Sequence, residues 1–442
     1  MTLSAALPVT RATAGLFRFA TAGSVDDGKS TLVGRLLHDS KAILADQLES
    51  VARTSAERGF GAGTGFDFAL LTDGLRAERE QGITIDVAYR YFSTGTRSFI
   101  LADCPGHVQY TRNMVTGATT ADAVVVLIDA RKGVLEQTRR HLSVVHLLRV
   151  PHVIVAVNKI DLLDYDRAAF ERVQSEVIAV TRELGIDEVA VIPVSALEGD
   201  NIVELSVRMP WYEGPTLLGL LESLPSADEI DNELDALRFP VQLVIRPQGG
   251  LAPDIDDPEA FRDYRGFAGQ LASGRVRVGD RVVVCPAGVE TTVVAIDVAG
   301  GQLEEAAAPQ SVILRLADDV DAARGSVIAL AGTLPAARRE LIADVFWLDP
   351  RPLTPGARVL VKHGTSTVHA IVSTIHSRRD LDTLAHEPAS ELAANDIGRA
   401  TLRLATALPV DDFSTYRRTG AFLVINPADG ATLAAATVGS ES

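Results

Sequence analysis

The chain has 442 residues, 47% hydrophobic and 23% charged, which is too apolar for a disordered protein and long enough for several domains. Its 42 Lys and Arg and 58 Asp and Glu give a formal charge of −16, which disfavours non-specific binding to nucleic acid or an anionic membrane. No apolar run approaches the roughly 18 residues of a membrane span. The two cysteines, Cys104 and Cys285, form no C-x-x-C pair, which favours a reducing compartment. We expect a cytoplasmic protein with neither a nucleic-acid nor a membrane partner.

The first half alternates apolar runs with longer helical patterns. Runs rich in Val and Ile occupy residues 123–129, 153–158 and 189–194, and each precedes residues able to form a helix. Such runs are typical of parallel strands buried on both faces by helices. An earlier run, 16–22, precedes a helical pattern over 30–39, and residues 85–92 and 98–103 flank a hairpin turn. The pattern predicts an α/β domain with a mostly parallel sheet over residues 1–226.

The second half has a different pattern. An acidic stretch over residues 227–235 is interpreted as a linker, and the helical period then largely disappears. Short runs of β-branched residues separated by Gly-containing turns follow, in two blocks that meet near residue 334. Regular short strands with such turns are typical of β-barrels or sandwiches. We predict two β-barrel domains, residues 227–333 and 334–442.

A phosphate-loop pattern, G-x-x-x-x-G-K-[ST], covers residues 23–30 between the first predicted strand and the first predicted helix. In that context backbone N–H groups and the helix N-terminus bind phosphate, Lys29 reaches the β- and γ-phosphates, and the Ser30 hydroxyl is a ligand for Mg²⁺. The residues predicted to contact the nucleotide here are Gly23, Ser24, Val25, Asp26, Asp27, Gly28, Lys29, Ser30 and Thr31.

Two carboxylates inside the phosphate loop are unexpected, because they repel phosphate. Asp26 and Asp27 must turn outward or face a cation or a hydrogen-bond donor. Solvated loop acids are at least as good an interpretation.

A second strand run ends at Asp103, about 75 residues after the phosphate loop. An acid there can hold the Mg²⁺ hydration shell, and the following Pro105, Gly106 and His107 then form a γ-phosphate sensor in which His107 orients the attacking water. Taken alone, His107 is more often a structural histidine. Thr84 can complete the Mg²⁺ shell when γ-phosphate is present, although spacing alone favours a β-branched strand residue at that position.

Asn158, Lys159 and Asp161 end another Val-rich strand and predict a guanine site. A carboxylate at Asp161 accepts hydrogen bonds from the N1–H and the 2-amino group of guanine, a donor pair that adenine lacks. The Lys159 stem can lie along the base. Three further residues after the next strand run are candidates to offer backbone N–H groups to guanine O6: Ser195, Ala196 and Leu197.

Together these motifs, followed by two β-domains, resemble the translation-factor GTPases built like elongation factor Tu. A closer resemblance is to the large, GTPase subunit of bacterial sulfate adenylyltransferase, carried by residues 19–31, 77–86, 109–114, 129–134 and 199–202. Asp27 is the distinguishing residue, since translation factors usually have His there. Cys104, Val108 and Tyr416 depart from the family, which usually has Thr, Glu and Asn at these positions.

The resemblance implies an α/β P-loop GTPase domain followed by two β-barrels, with GTP and Mg²⁺ as cofactors. A separate small subunit would join ATP and sulfate into adenosine 5′-phosphosulfate and pyrophosphate, and this chain would hydrolyse GTP to drive that uphill reaction. His107 would orient water, Val25 and Ile83 would form an apolar gate beside it, and Lys29 would stabilise charge developing on the phosphates. The Mg²⁺ ligands would be Ser30, Thr84 and Asp103. We expect no fused adenylylsulfate kinase.

Two other functions fit parts of the pattern. An elongation factor that delivers aminoacyl-tRNA would bind RNA with a steep salt dependence, which the charge of −16 and Asp27 disfavour. A regulatory switch would recruit a partner in its GTP state without driving synthesis. Coupling of GTP turnover to sulfate-dependent pyrophosphate formation separates it from the favoured function.

Overall fold

The computed structural model describes residues 15–41, 53, 55, 68–71, 87–105, 111–231, 236–247, 263–380 and 385–439. The chain divides into two compact units, Met1–Ala227 and Asp228–Ser442. The first unit contains strands β1 (Leu16–Gly23), β2 (Ala88–Ser93), β3 (Ser98–Asp103), β4 (Ala123–Asp129), β5 (His152–Asn158) and β6 (Ala190–Pro193). Its helices are α1 (Lys29–Asp39), α2 (Thr111–Thr119), α3 (Glu136–Leu147), α4 (Arg167–Glu183) and α5 (Leu217–Ser223), with 3-10 turns at Phe68–Leu71 and Ile160–Leu163.

The sheet of the first unit has the order β2-β3-β1-β4-β5-β6. Strands β3, β1, β4, β5 and β6 are parallel, and β2 is the antiparallel edge strand paired with β3. Strand β4 is buried along its whole length, as expected for an apolar run covered on both faces. Because β1 lies between β3 and β4, the order reverses there, and ligands of such sheets bind outside the carboxyl ends of the strands at the reversal.

The second unit starts with a short helix, α6 (Ala227–Asp231), which spans the unit boundary. Its first barrel contains β7 (Arg238–Ile245), β8 (Gly266–Gln270), β10 (Arg281–Cys285), β11 (Val289–Val298), β12 (Gly301–Leu303), β14 (Ser311–Leu316) and β15 (Val327–Leu330). Strands β9 (Arg275–Arg277) and β13 (Glu305–Ala307) pair with each other in a separate two-stranded sheet. The second barrel contains β16 (Arg338–Trp347), β17 (Arg358–His363), β18 (Ser366–Arg379), β19 (His386–Glu387), β20 (Ile397–Leu408), β21 (Ala421–Ile425) and β22 (Thr432–Val438). Pairing of β10 with β11 closes the first barrel, and pairing of β17 with β18 closes the second.

A buried ion pair joins the two barrels of the second unit. The Arg238 guanidinium at the start of β7 donates to both carboxylate oxygens of Asp411, at 3.0 and 2.9 Å. Its other N–H groups donate to the backbone oxygens of Leu237 and Thr333 and to the Thr333 hydroxyl. Asp411 also accepts from the Thr419 hydroxyl at 2.6 Å. All five guanidinium donors are therefore satisfied, as burial of the pair requires.

The predicted fold class is confirmed: an α/β domain with a mostly parallel sheet precedes two closed β-barrels. The predicted hairpin strand over 85–92 begins at Ala88, with residues 85 and 86 outside the described residues. Within the stretch interpreted as a linker over 227–235, Ala227–Asp231 is a helix that the sequence pattern did not predict. The amide of Ala227 donates to the Asp122 carboxylate at 2.9 Å, and Asp228 and Glu229 lie in the first turn, where acids favour a helix. The domain boundary near residue 334 stays a prediction.

Among the described residues, none of the helices is both long and apolar enough to cross a membrane.

Candidate nucleotide-binding site

Four candidate segments follow parallel strands that end at the same edge of the sheet. Strands β1, β3, β4, β5 and β6 end at Gly23, Asp103, Asp129, Asn158 and Pro193. The carboxyl ends of parallel strands lie side by side. The phosphate loop, the Asp103 segment and the two segments predicted to face guanine, 158–161 and 195–197, therefore meet at this edge. The sheet therefore brings together residues that are up to about 170 positions apart in sequence.

The phosphate loop closes on itself through Asp27. The backbone N–H of Ser24 donates to the Asp27 carboxylate at 2.8 Å, and the Asp27 side chain is buried, with 1% of its surface exposed. Burial raises the pKa of Asp27 to about 6, although the Ser24 N–H and the nearby Lys132 oppose the rise. Asp27 therefore faces a hydrogen-bond donor, and the alternative interpretation as a solvated loop acid does not apply to it. Asp26 is exposed.

Gly28 ends the loop in a conformation that requires glycine. Its φ is 89°, in the left-handed region, and it precedes the first residue of α1. A Cβ atom on Gly28 would lie 2.4 Å from the side-chain nitrogen of Asn158, in the buried interior of the site. The loop therefore has no room for a side chain at this position.

We expect Gly28→Ala to weaken GDP binding by at least about tenfold, because the added Cβ strains the backbone and displaces the Asn158 amide. Isothermal titration with GDP measures the effect, and circular dichroism reports whether the fold is retained. Gly95→Ala is the matched control, since Gly95 lies in the β2–β3 turn and a Cβ there meets no atom within 4 Å. Equal GDP affinity in both variants would contradict the assigned geometry.

Lys29 and Asp103 lie face to face at the start of α1 and the end of β3. The Lys29 Nζ atom is 3.9 Å from Asp103 Oδ1, and that oxygen accepts a hydrogen bond from the Thr21 hydroxyl at 2.9 Å. Both side chains are almost fully buried, with 8% and 2% exposed. The structure therefore places an ammonium and a carboxylate together where the sequence predicts phosphate and metal.

Asn158 links the phosphate loop to the segment after β6. Its side-chain nitrogen donates to the backbone oxygen of Asp27 at 2.8 Å, and its side-chain oxygen accepts from the Ala196 N–H at 2.9 Å. The side chain is 2% exposed. One buried side-chain amide is therefore hydrogen-bonded to the backbone of both the phosphate loop and the segment after β6.

Lys159 is held by an acid that sequence reasoning missed. Its Nζ atom lies 3.1 Å from the Asp129 carboxylate at the end of β4 and also donates to the backbone oxygen of Asp26. Arg131 makes two further side-chain contacts to Asp129, at 3.0 and 2.7 Å. Burial raises the pKa of Asp129, but hydrogen bonds from Arg131 and Lys159 outweigh it and hold that pKa well below its usual range. An acid at the end of a buried strand was the available signal.

Asp161 and the segment after β6 are the remaining parts of the candidate site. Asp161 is half-buried and lies in the short 3-10 helix that follows Lys159. The N–H of Ser195 donates to the Asp200 backbone at 3.2 Å, and that of Ala196 is used by Asn158. Leu197 is the one of the three predicted amides that makes no hydrogen bond within the described part of the chain. Its backbone oxygen accepts from Arg35 of α1 at 2.7 Å, a contact with no sequence signal.

Comparison with known proteins supports the family resemblance found in the sequence motifs. Residues 15–225 match the family described as "Elongation factor Tu GTP binding domain", and residues 340–439 match "GTP-eEF1A C-terminal domain-like". The chain is 49% identical over 425 residues to a "Bifunctional enzyme CysN/CysC" of Mycobacterium tuberculosis (strain CDC 1551 / Oshkosh), covering 96% of this chain and 67% of that enzyme. It is 47% identical over 429 residues to the "Sulfate adenylyltransferase subunit 1" of Laribacter hongkongensis (strain HLHK9), covering 97% and 86%. The chain belongs to the sulfate adenylyltransferase subunit 1 family.

Membership of the sulfate adenylyltransferase subunit 1 family confirms the resemblance inferred from the motifs, and the GTP-binding domain match supports GTP as the nucleotide. Four predicted site residues, Ile83, Thr84, Gly106 and His107, lie outside the described residues. Pro105 is buried two residues after the end of β3, whereas Val25 is 41% exposed on the phosphate loop.

The residues present fit a magnesium ion. The Ser30 hydroxyl at the second position of α1 and the Asp103 carboxylate are hard oxygen donors, the ligands that Mg²⁺ prefers. The Thr21 hydroxyl donates to Asp103 Oδ1, and within the described part of the chain the structure shows no hydrogen bond to the other oxygen of that carboxylate.

Proposed function

We propose that this chain binds GTP at the edge formed by β1, β3, β5 and β6, and hydrolyses it as the GTPase subunit of sulfate adenylyltransferase. The observation that carries the proposal is the Asn158 bridge, because it joins a phosphate-binding loop to the segment that would face a guanine base. In this arrangement Asp161 selects guanine through its N1–H and 2-amino groups, and Leu197 donates to O6. Lys159 lies along the base with its ammonium fixed by Asp129.

Hydrolysis depends on groups that surround the γ-phosphate. Lys29, the phosphate-loop N–H groups and the N-terminus of α1 stabilise negative charge on the phosphates. We propose that His107 orients the attacking water, and the family resemblance implies that Val25 and Ile83 form an apolar gate. When bound, Mg²⁺ neutralises phosphate charge, and Ser30, Thr84 and Asp103 are the residues that would hold it. These roles rest on the motifs and on the family.

A partner subunit completes the enzyme. Relatives named "Sulfate adenylyltransferase subunit 1" imply a second subunit, and we propose that it transfers the adenylyl group of ATP to sulfate in the cytoplasm. For GTP hydrolysis to drive that reaction, the GTP and GDP states must differ in their affinity for the states of the partner. No nucleic-acid or membrane partner is proposed.

The test uses the chain copurified with a sulfate adenylyltransferase small subunit. We expect ATP plus sulfate to stimulate GTP hydrolysis, and we expect Lys29→Ala to lower kcat/KM for GTP at least about a hundredfold, because it removes a positive charge from the phosphates. Lys362→Ala, an exposed lysine of β17, is the matched control. Basal hydrolysis without stimulation would contradict the coupling and leave the GTPase in place, whereas unchanged turnover in Lys29→Ala would contradict the site itself.

A further inference from the structure

Two short segments form the guanine side of the site. The carboxylate turn (residues 160–165) carries Asp161, and the amide loop (residues 195–200) carries Leu197. They follow different strands, β5 and β6, so their spacing is not set by sequence proximity. Guanine recognition needs both at once, because the base is bound by the Asp161 carboxylate and a backbone amide together. A group that fixes one segment to the other would therefore influence specificity.

Arg208 contacts the amide loop through Asp200. Its Nη2 and Nε atoms donate to the two carboxylate oxygens of Asp200, at 2.8 and 3.2 Å, in a bidentate pair. Asp200 is 7% exposed, and its backbone oxygen accepts from the N–H of Ser195 at the other end of the loop. The Ser206 hydroxyl donates to the same carboxylate at 2.6 Å. The guanidinium thus holds the residue that closes the amide loop.

The same guanidinium covers the carboxylate turn. Its central carbon lies 4.8 Å from the ring centroid of Tyr165, the last residue of that turn. Tyr165 has a positive φ of 58° and is held at its backbone oxygen by the indole N–H of Trp211, at 3.1 Å. Its own N–H donates to Ile160 at the start of the turn, at 3.0 Å. Burial first, and then the nearby Asp200 carboxylate, raise the pKa of Tyr165.

We propose that Arg208 is a positioning residue for guanine recognition, which fixes the amide loop to the carboxylate turn by pairing with Asp200 while stacking on Tyr165. Arg208 does not contact the base; it sets the distance between groups that do. The inference rests on the proposed guanine site. It goes beyond the binding residues themselves by assigning specificity to a side chain outside the nucleotide motifs.

The experiment compares GDP with inosine diphosphate, which lacks the 2-amino group and so loses one of the two hydrogen bonds to Asp161. We expect Arg208→Met, which keeps the aliphatic stem, to raise the Kd for GDP about tenfold and that for inosine diphosphate less. The preference for GDP then falls at least about threefold. Because the preference is a ratio within one variant, a loss of folded protein does not change it. Arg208→Lys keeps the charge and should recover part of the preference.

Two controls sharpen the result. Arg172→Met changes an exposed arginine of α4 and should leave both affinities at wild-type values. Asp200→Asn, alone and combined with Arg208→Met, closes a double-mutant cycle, in which the double variant should be little worse than either single variant. An unchanged GDP preference in Arg208→Met, or additive effects in the cycle, would overturn the inference. If the wild-type chain prefers no guanine nucleotide over ADP, the proposed function fails instead.

Discussion

Asp161→Asn is expected to replace the guanine preference of the site with a xanthine preference. The carboxylate of Asp161 accepts hydrogen bonds from the N1–H and the 2-amino group of guanine, and an Asn amide cannot accept both. Xanthine carries an oxygen at position 2, to which the Asn amide can donate. Affinity for GDP should fall about a thousandfold, since a site built around a substrate donor is left with an unmatched group.

The measurement is competition of GDP and xanthosine diphosphate against a fluorescent nucleotide in the wild type and the variant. Asp164→Asn is a close control, because Asp164 is an exposed acid three residues along the same turn. Its φ of 51° is one that Asn tolerates, so the control should fold and bind GDP normally. If Asp161→Asn gained no affinity for xanthosine diphosphate while losing GDP, Asp161 would be a structural residue of the turn.

Arg238→Met is expected to destabilise the second unit by about 3–5 kcal/mol, because it leaves the Asp411 carboxylate buried with its main partner removed. Arg238 and Asp411 are 2% and 5% exposed, so water cannot replace the lost donors. The substitution also removes a cation from the face of Tyr416, 5.1 Å from the guanidinium. A loss of this size is a large fraction of the stability of an ordinary domain.

Chemical denaturation measures the free energy of unfolding of each variant. The comparison that tests the explanation is between Arg238→Met and the double variant Arg238→Met with Asp411→Leu. Replacing both charges by apolar groups removes the unpaired carboxylate, so the double variant should be more stable than Arg238→Met alone. Affinity for GDP is an internal control, since the nucleotide site lies within the first unit. A shift below about 1 kcal/mol in Arg238→Met would show that the pair contributes little net stability.

Much of the fold could be predicted from the sequence because its strongest signals are local. The Val-rich run 123–129 is the strand β4, with the same bounds, and the helix after the phosphate loop ends at Asp39 as its pattern predicts. The strand pairings that close the barrels, such as that of β17 with β18, could not be predicted from the sequence, because they are long-range contacts. The helix at Ala227–Asp231 was missed because an acidic run without apolar periodicity is typical of a linker.

The candidate site could be predicted only for residues inside recognisable motifs. Lys29, Asn158 and Asp161 belong to short patterns that specify their chemistry, and the structure brings their segments to one edge of the sheet. Asp129 was marked only as an acid at the end of a buried strand, and Arg208 belongs to no pattern. Each acts through a contact with a residue 30 or 8 positions away, respectively. Such contacts are set by tertiary packing, so the sequence carries no period or spacing that would reveal them.

The Asn158 bridge couples the two loops that the proposed site places at the two ends of the nucleotide. The same amide is bonded to the Asp27 backbone on the phosphate side and to the Ala196 N–H on the base side. Moving either loop leaves a buried polar group unpaired, which costs about 1–3 kcal/mol. The positions of the phosphate loop and of the segment after β6 are therefore linked through one side chain, so a substitution at Asn158 acts on both loops at once.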